Sequence, residues 1–234
     1  MRSTPERMIR LRFPSGAINF KYLKEEVVAE PEVLDYIDQL PKNSIFYDLG
    51  ANVGYFSLYA AITGKQVYAF EPFPPNFDGL RANMGENVGL SRRIRPFKYA
   101  ISDNEGVVTL NYQTEDIGSY GVTIDTDTFS SQIRKKYAKL EVMGNTLDSI
   151  KEKHNLPYPD HLKVDIDGSE YIFLRNADKC LRNAKSMMIE LYTGNQYYER
   201  CVKILNLYGY ELRTEYTIES DDKGKLVNAF YEKS

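Results

Sequence analysis

The stretch from Ile45 to Glu71 restricts this chain to one broad kind of fold. A short apolar segment ends in Asp48, turns through Gly50, Ala51 and Asn52, and enters an apolar helical pattern at Gly54. A second apolar segment begins at Val67 and ends in Glu71. Two short buried strands joined by a glycine turn and a helix make a parallel βαβ unit. In an open α/β sheet that unit offers a nucleotide-type cofactor site at the carboxyl ends of its strands. The acid after the second strand then meets ribose hydroxyls. The dinucleotide fingerprint G-x-G-x-x-G is not met, because Asn52 and Tyr55 stand where its second and third glycines belong. A pyrophosphate therefore lacks its close backbone approach. Taken alone, the glycine turn also fits an ordinary βαβ unit with no ligand.

The totals narrow the field further. A chain of 234 residues fits one domain with a substantial core. Its formal net charge of −3 is unlike the basic surface with which nucleic-acid binders neutralise phosphates. No run approaches the ~18 apolar residues of a membrane-spanning helix. The first ten residues lack the apolar core of a secretory signal, which points to the cytoplasm. Cys180 and Cys201 have no metal-type spacing and suit a reduced compartment.

Beyond the central unit the pattern alternates strand and helix. Residues 8–13 and 17–22 predict a hairpin, and Pro31 opens a helix ending near Leu40. Residues 1–43 thus read as a hairpin and helix ahead of an α/β domain over 44–234. Strands are predicted over 45–48, 67–71, 94–100, 161–166 and 185–191, and helices over 54–63, 75–84, 147–154, 169–177 and 195–207. Segments 211–219 and 226–231 predict a closing antiparallel hairpin on a mostly parallel, Rossmann-like sheet. Residues 103–145 are longer than a plain crossover needs. Strands are expected there at 107–112 and 122–125, and a helix at 130–137; insertions of this kind cover a site or line its pocket.

Asp165, Asp167 and Glu170 surround a strand-to-helix turn that Gly168 permits. Crowded carboxylates repel, so one of them can keep a raised pKa and act as a base. A divalent cation is another solution, since oxygen-only clusters suit Mg²⁺, and Asp165, Asp167 and Glu190 are the candidate ligands. Simple capping of the helix by Asp167 and Glu170 is a third.

Three motifs carry a family resemblance. They are D-x-G-A-N-x-G over Asp48–Gly54, E-P-x-P-x-x-F-x-x-L-x-x-N over Glu71–Asn83, and L-K-x-D-x-x-G-x-E-x-x-x-L over Leu162–Leu174. They resemble the FkbM-type methyltransferases, and the resemblance covers about residues 44–192. One departure is Asp167, where the family usually carries glutamate. The resemblance implies a class I methyltransferase fold with a seven-stranded sheet. It also implies O-methylation of a hydroxyl on a sugar, glycan or glycosylated natural product, with S-adenosyl-L-methionine (SAM) as cofactor. On that basis Asp48, Gly50, Asn52 and Gly54 would hold the methionine end, with Ala51 and Pro72 beside them. Glu71 would accept the ribose hydroxyls, and Asp103 would sit near the adenine. Phe73 fits either an adenine contact or the core.

A nucleic-acid methyltransferase on the same fold, or a SAM-binding protein without catalysis, are the competing functions. The basic clusters Arg92–Arg95 and Arg134–Lys136 are the only hints of the former. Four arginines at 2, 7, 10 and 12 read as solvated surface. Asp165 is expected to be the general base or cation ligand, supported by Asp167 and Glu170. Tyr192, Tyr197 and Tyr198 are candidates for stacking on a sugar ring. His154 lies near a helix end, and His161 lies at the end of its strand away from the expected crevice.

Overall fold

Five parallel strands form the centre of the molecule, and they owe their position to nearly continuous apolar sequence. The computed structural model describes residues 9–13, 16–20, 30–119, 121–124, 137–194 and 196–233. The chain opens with β1 (Ile9–Phe13), β2 (Gly16–Phe20) and α1 (Pro31–Gln39). The first half of the sheet follows as β3 (Ile45–Leu49), α2 (Tyr55–Ile62), β4 (Gln66–Phe70), α3 (Pro74–Glu86), α4 (Val88–Ser91) and β5 (Ile94–Phe97). An extension comprises β6 (Ala100–Ile101), β7 (Gly106–Tyr112), β8 (Thr123–Ile124) and β9 (Ala138–Asn145). The second half runs α5 (Leu147–Lys153), β10 (His161–Val164), α6 (Glu170–Asn176), α7 (Asp178–Asn183), β11 (Ser186–Tyr192) and α8 (Tyr198–Leu207). The hairpin β12 (Tyr210–Ser220) and β13 (Lys225–Lys233) closes the fold.

The main sheet has the order β12-β13-β11-β10-β3-β4-β5. Strands β5, β4, β3, β10 and β11 are parallel, and β13 is antiparallel to both β11 and β12. This is the Rossmann-like sheet with a terminal antiparallel hairpin that the sequence predicts. The chain builds outward from β3 to β5, then returns and builds the other way from β10. The reversal between β3 and β10 opens a crevice at the carboxyl ends of the strands. Buried residues alternate across the sheet. Phe46 packs with Leu58 and Leu80 on the face covered by α1, α2 and α3. Tyr47 packs with Ile150, Phe173 and Leu205 on the face covered by α5 to α8. Each such apolar side chain contributes about 1.5–3 kcal/mol when fully buried.

Both outer strands carry irregularities. Pro96 lies in β5, and the β12–β13 register shifts between Leu212 and Thr214 and again between Thr217 and Glu219. No described helix is long and apolar enough to cross a membrane.

Four differences from the sequence expectations have local causes. The strand expected over 94–100 ends at Phe97, and Ala100–Ile101 joins a separate four-stranded sheet of order β6-β9-β7-β8. Strand β9 has no counterpart in the sequence reading, although Leu140 and Val142 alternate with Lys139 and Glu141. In α3 Phe77, Leu80 and Met84 pack on the same core as expected, but Asn76, Gly79 and Asn83 are buried beside Leu80 as well. The two asparagines are buried because their side chains bond neighbouring backbone. The helix expected from residue 195 begins at Tyr198. The helix expected over 130–137 falls, but for Tyr137, outside the described residues, as do Arg2, Arg7 and Arg134–Lys136.

The turn after β3 explains its own composition. Gly50, Asn52 and Gly54 have φ of 80°, 49° and 87°, so alternate residues are left-handed. Glycine and asparagine tolerate that conformation best. A Cβ on Gly50 would lie 1.7 Å from the Asp165 carbonyl oxygen. Gly50→Ala is therefore expected to cost about 2–4 kcal/mol in urea denaturation. Gly85→Ala, with open space around its Cβ, is expected instead to stabilise by about 0.5–1 kcal/mol.

Candidate functional site

Asp48 and Lys163 face each other across the line where the strand order reverses. They are register partners in β3 and β10 and point to the same face of the sheet. Both are essentially buried, with Lys163 Nζ 3.6 Å from Asp48 Oδ1. Asp48 Oδ2 accepts a 2.6 Å hydrogen bond from Ser57 Oγ of α2. Lys163 Nζ also bridges to Asp165 Oδ2 at 2.9 Å and lies 5.2 Å from the Phe56 ring centroid. Burial alone would strip the lysine of its proton, but Asp165 and Asp48 hold the ammonium well above the ordinary lysine range. Burial pushes Asp48 upward against the pull of Lys163 and Ser57, so the ammonium is the firmer of the two charges.

Immediately above this pair lies a cavity of about 260 Å³. Gly50, Asn52, Glu71 and Pro72 form its wall over β3 and β4. Asp165, Asp167, Ser169 and Glu190 form the wall over β10 and β11, and Glu30 closes it from the start of α1. Leu110 of β7, Ile124 of β8 and the intervening Ser119 and Val122 roof it. Asn76 holds that roof, since its Oδ1 accepts from Gly118 N–H and its Nδ2 donates to the Ser119 carbonyl, both at 2.8 Å. Among the described residues the lining contains five carboxylates and no lysine, arginine or histidine.

Glu71 fastens two turns together. Its Oε2 accepts from Asn52 N–H at 2.8 Å and its Oε1 from Phe73 N–H at 2.9 Å. Each oxygen keeps a further lone pair, and Glu71 lines the cavity. Burial raises its pKa to about 7. The strand carrying Asp165 stops at Val164, and Asp167 adopts a left-handed φ of 49°, so the two aspartates do not line up along an extended strand. Burial, with Asp165, Glu170 and Glu71 nearby, drives Asp167 upward. Burial and the surrounding carboxylates do the same to Glu190.

Several expected site residues lie elsewhere. Asp48 forms the floor beneath the cavity rather than its lining. The Gly54 backbone packs under Leu80, where an added Cβ would approach Leu80 Cδ1 to 2.4 Å. Ala51 is buried in the α1–α3 core. Asp103 is exposed and accepts from Asn104, because the chain leaves the main sheet at Phe97; Tyr99, Ala100 and Ile101 reach the cavity instead. Glu170 turns away from the cavity and its Oε1 accepts from Ile166 and Gly168 N–H at 3.1 and 3.2 Å, closing the turn. Phe73 is a core ring, 5.1 Å from Tyr112. Tyr192, Tyr197 and Tyr198 line a separate small notch. His154 packs on Phe97, and His161 is buried at the opposite end of β10, with Nδ1 2.8 Å from Ser186 Oγ. Among the described residues no three His, Cys, Asp or Glu side chains are arranged to hold a metal ion. Asp165 Oδ2 is bridged instead to the Lys163 ammonium at 2.9 Å.

Lys163, Asn76 and Glu30 are the site residues that sequence reasoning missed. Lys163 had a signal: a lysine inside an otherwise apolar strand, two residues before Asp165, must have a buried partner.

Comparison with known proteins gives a consistent picture. The family described as “Methyltransferase FkbM domain” matches residues 48–212. The chain is 25% identical over 158 residues to the hexuronic acid methyltransferase AglP of Haloferax volcanii, covering 68% of this chain and 60% of that protein. It is 32% identical over 113 residues to the 31-O-demethyl-FK506 methyltransferase FkbM of Streptomyces tacrolimicus, covering 44% and 42%. Its fold is similar to the crystal structure of a methyltransferase FkbM from Methylobacillus flagellatus, with a TM-score of 0.54 at 17% identity over 82% of this chain and 45% of that one. The match thus spans about three fifths or less of these relatives' lengths.

Two outcomes follow from the electrostatics. Lys163→Met strands Asp48 without a counter-ion and is expected to cost about 3–5 kcal/mol in urea denaturation. Glu71 and Glu170 both have folded pKa values raised from 4.5 to about 7 by burial. Between those values the folded chain holds protons that the unfolded chain has lost. Their contribution is full below pH 4.5 and disappears as pH rises through 7. Thermal melts should show the midpoint falling across that window, and the slope should flatten in the Glu71→Gln, Glu170→Gln double variant.

Proposed function

This chain belongs to the FkbM methyltransferase family, and from that premise we propose that it transfers a methyl group from SAM to a hydroxyl of a sugar, glycan or glycosylated natural product. The observation that carries the proposal is the cavity lining. Its described side chains include five carboxylates and no cation, and it opens where the strand order reverses. Such a lining repels a pyrophosphate and suits a ligand with a sulfonium and an ammonium. The chemistry of the donor set therefore fits SAM.

The residues fall into two groups. Gly50, Asn52, Glu71 and Pro72 would hold the cofactor, with the free lone pairs of Glu71 accepting ribose hydroxyls. Asp48 contributes from below by fixing Lys163. When bound, SAM supplies an electrophilic methyl on a positively charged sulfur. The protein's part would be to hold the acceptor hydroxyl against that methyl and to take up its proton. The hydroxyl proton needs a base, and Asp165 would be that base. Its Oδ2 is held by Lys163, which leaves Oδ1 to take the proton. Asp167 and Ser169 flank that position. The two relatives, a hexuronic acid methyltransferase and a 31-O-demethyl-FK506 methyltransferase, support a sugar or a natural product as the acceptor class.

Calorimetric titration tests this, with SAM and, as control, NADH. Micromolar SAM binding without NADH binding is expected, and no SAM binding would overturn the proposal. Asp165→Asn should keep SAM affinity while methyl transfer to a glycan acceptor falls about 10²–10⁴-fold.

A further inference from the structure

A second cavity, of about 460 Å³, opens at the other end of the sheet from the carboxylate-lined one. It lies where β10 and β11 begin, between α1 and the β12–β13 hairpin. Its floor is neutral and largely aromatic: Tyr36, His161, Ser186 and Phe230 line it and are buried. The Phe230 ring centroid lies 5.5 Å from that of Tyr36 and 5.8 Å from that of Tyr216, so three rings form one wall. The cations of the rim are already paired, Lys185 with Asp160 and Arg213 with Glu232. An anion therefore finds no free partner there. Apolar walls with a few convergent polar groups are the usual make-up of a small-molecule site.

One polar group of this floor lacks a partner. His161 is 6% exposed. Its Nδ1 lies 2.8 Å from Ser186 Oγ, which lies 2.8 Å from the Tyr36 hydroxyl, and that hydroxyl donates to the Leu162 carbonyl at 3.4 Å. The last bond sets the direction of the others. Ser186 donates to Tyr36, and His161 donates from Nδ1 to Ser186. Nε2 is then a lone-pair acceptor, and it has no hydrogen-bond partner. Burial pushes the imidazole down to about 4, so it stays neutral and Nε2 carries no proton of its own. A buried acceptor without a donor costs free energy that a ligand's donor would restore.

We propose that this cavity is a second binding site for a neutral phenolic compound, whose ring packs against Tyr36, Phe230 and Tyr216 and whose hydroxyl donates to His161 Nε2. A phenol brings what the cavity lacks. Its ring suits edge-to-face contact with the aromatic wall, and its O–H supplies the missing donor. The site is separate from the methyl-transfer cavity and does not rest on the function proposed for it.

Calorimetry on the full chain tests this with 2-naphthol, and with 2-methoxynaphthalene, which keeps the rings and loses the donor. 2-Naphthol is expected to bind about tenfold more tightly than the ether. Saturating S-adenosylhomocysteine should leave that affinity unchanged, because the two cavities lie at opposite ends of the sheet. His161→Phe keeps a ring and removes the acceptor, and should bring 2-naphthol affinity down to that of the ether. Tyr216→Ala alters a ring that is 48% exposed, so the fold tolerates it whether or not the buried variant folds. It should weaken both ligands about threefold or more. Absence of binding, equal affinity for the two ligands, displacement by S-adenosylhomocysteine, or unchanged affinity in either folded variant would overturn the inference.

Discussion

The Asp48–Lys163 pair sits where the chain changes its direction of building, and the site is arranged around it. It joins the first strand of one half of the sheet to the first strand of the other. A one-residue slip of β10 against β3 would turn Lys163 to the opposite, apolar face, where Tyr47 and Leu162 pack and no carboxylate waits. The same ammonium reaches past the end of the strand to Asp165. One buried cation thus fixes strand register below the cavity and the orientation of a carboxylate inside it.

A second constraint is the close approach of two turns. The Asp165 carbonyl lies where the Gly50 Cβ would be, so the loops after β3 and β10 touch through backbone alone. Glu71 then ties the β3 turn to the start of α3, and Asn76 ties α3 to the roof. The cavity is consequently bounded by hydrogen bonds from three successive segments of the amphipathic βαβ core, not by a free loop.

Much of this was legible in the sequence. Apolar runs with glycine punctuation gave the strands, their parallel order and the terminal hairpin, because a sheet covered on both faces needs continuous apolar strands. Gly50, Asn52, Glu71, Asp165 and Asp167 were recognisable because their spacing follows backbone turns. What escaped was set by tertiary partners. Asn76 and Asn83 look like surface residues of α3 until the loops they bond are in place. Glu30 reaches the cavity from a remote part of the chain. Glu170 looked catalytic because it lies near two aspartates, but the backbone N–H groups of Ile166 and Gly168 claim it first. Strand β9 has weak alternation and draws its stability from pairing with β7.

The irregular outer strands of the sheet affect how molecules of this protein behave toward one another. An open sheet ends in unpaired N–H and C=O groups, and β12 would present eleven residues of them to any passing chain. Two bulges interrupt that row, and Glu211, Arg213, Glu215 and Glu219 place charge along it. At the far side Pro96 removes a donor from β5. The sheet can therefore stay open, as its crevice requires, while both borders resist edge-to-edge pairing and the aggregation that would follow.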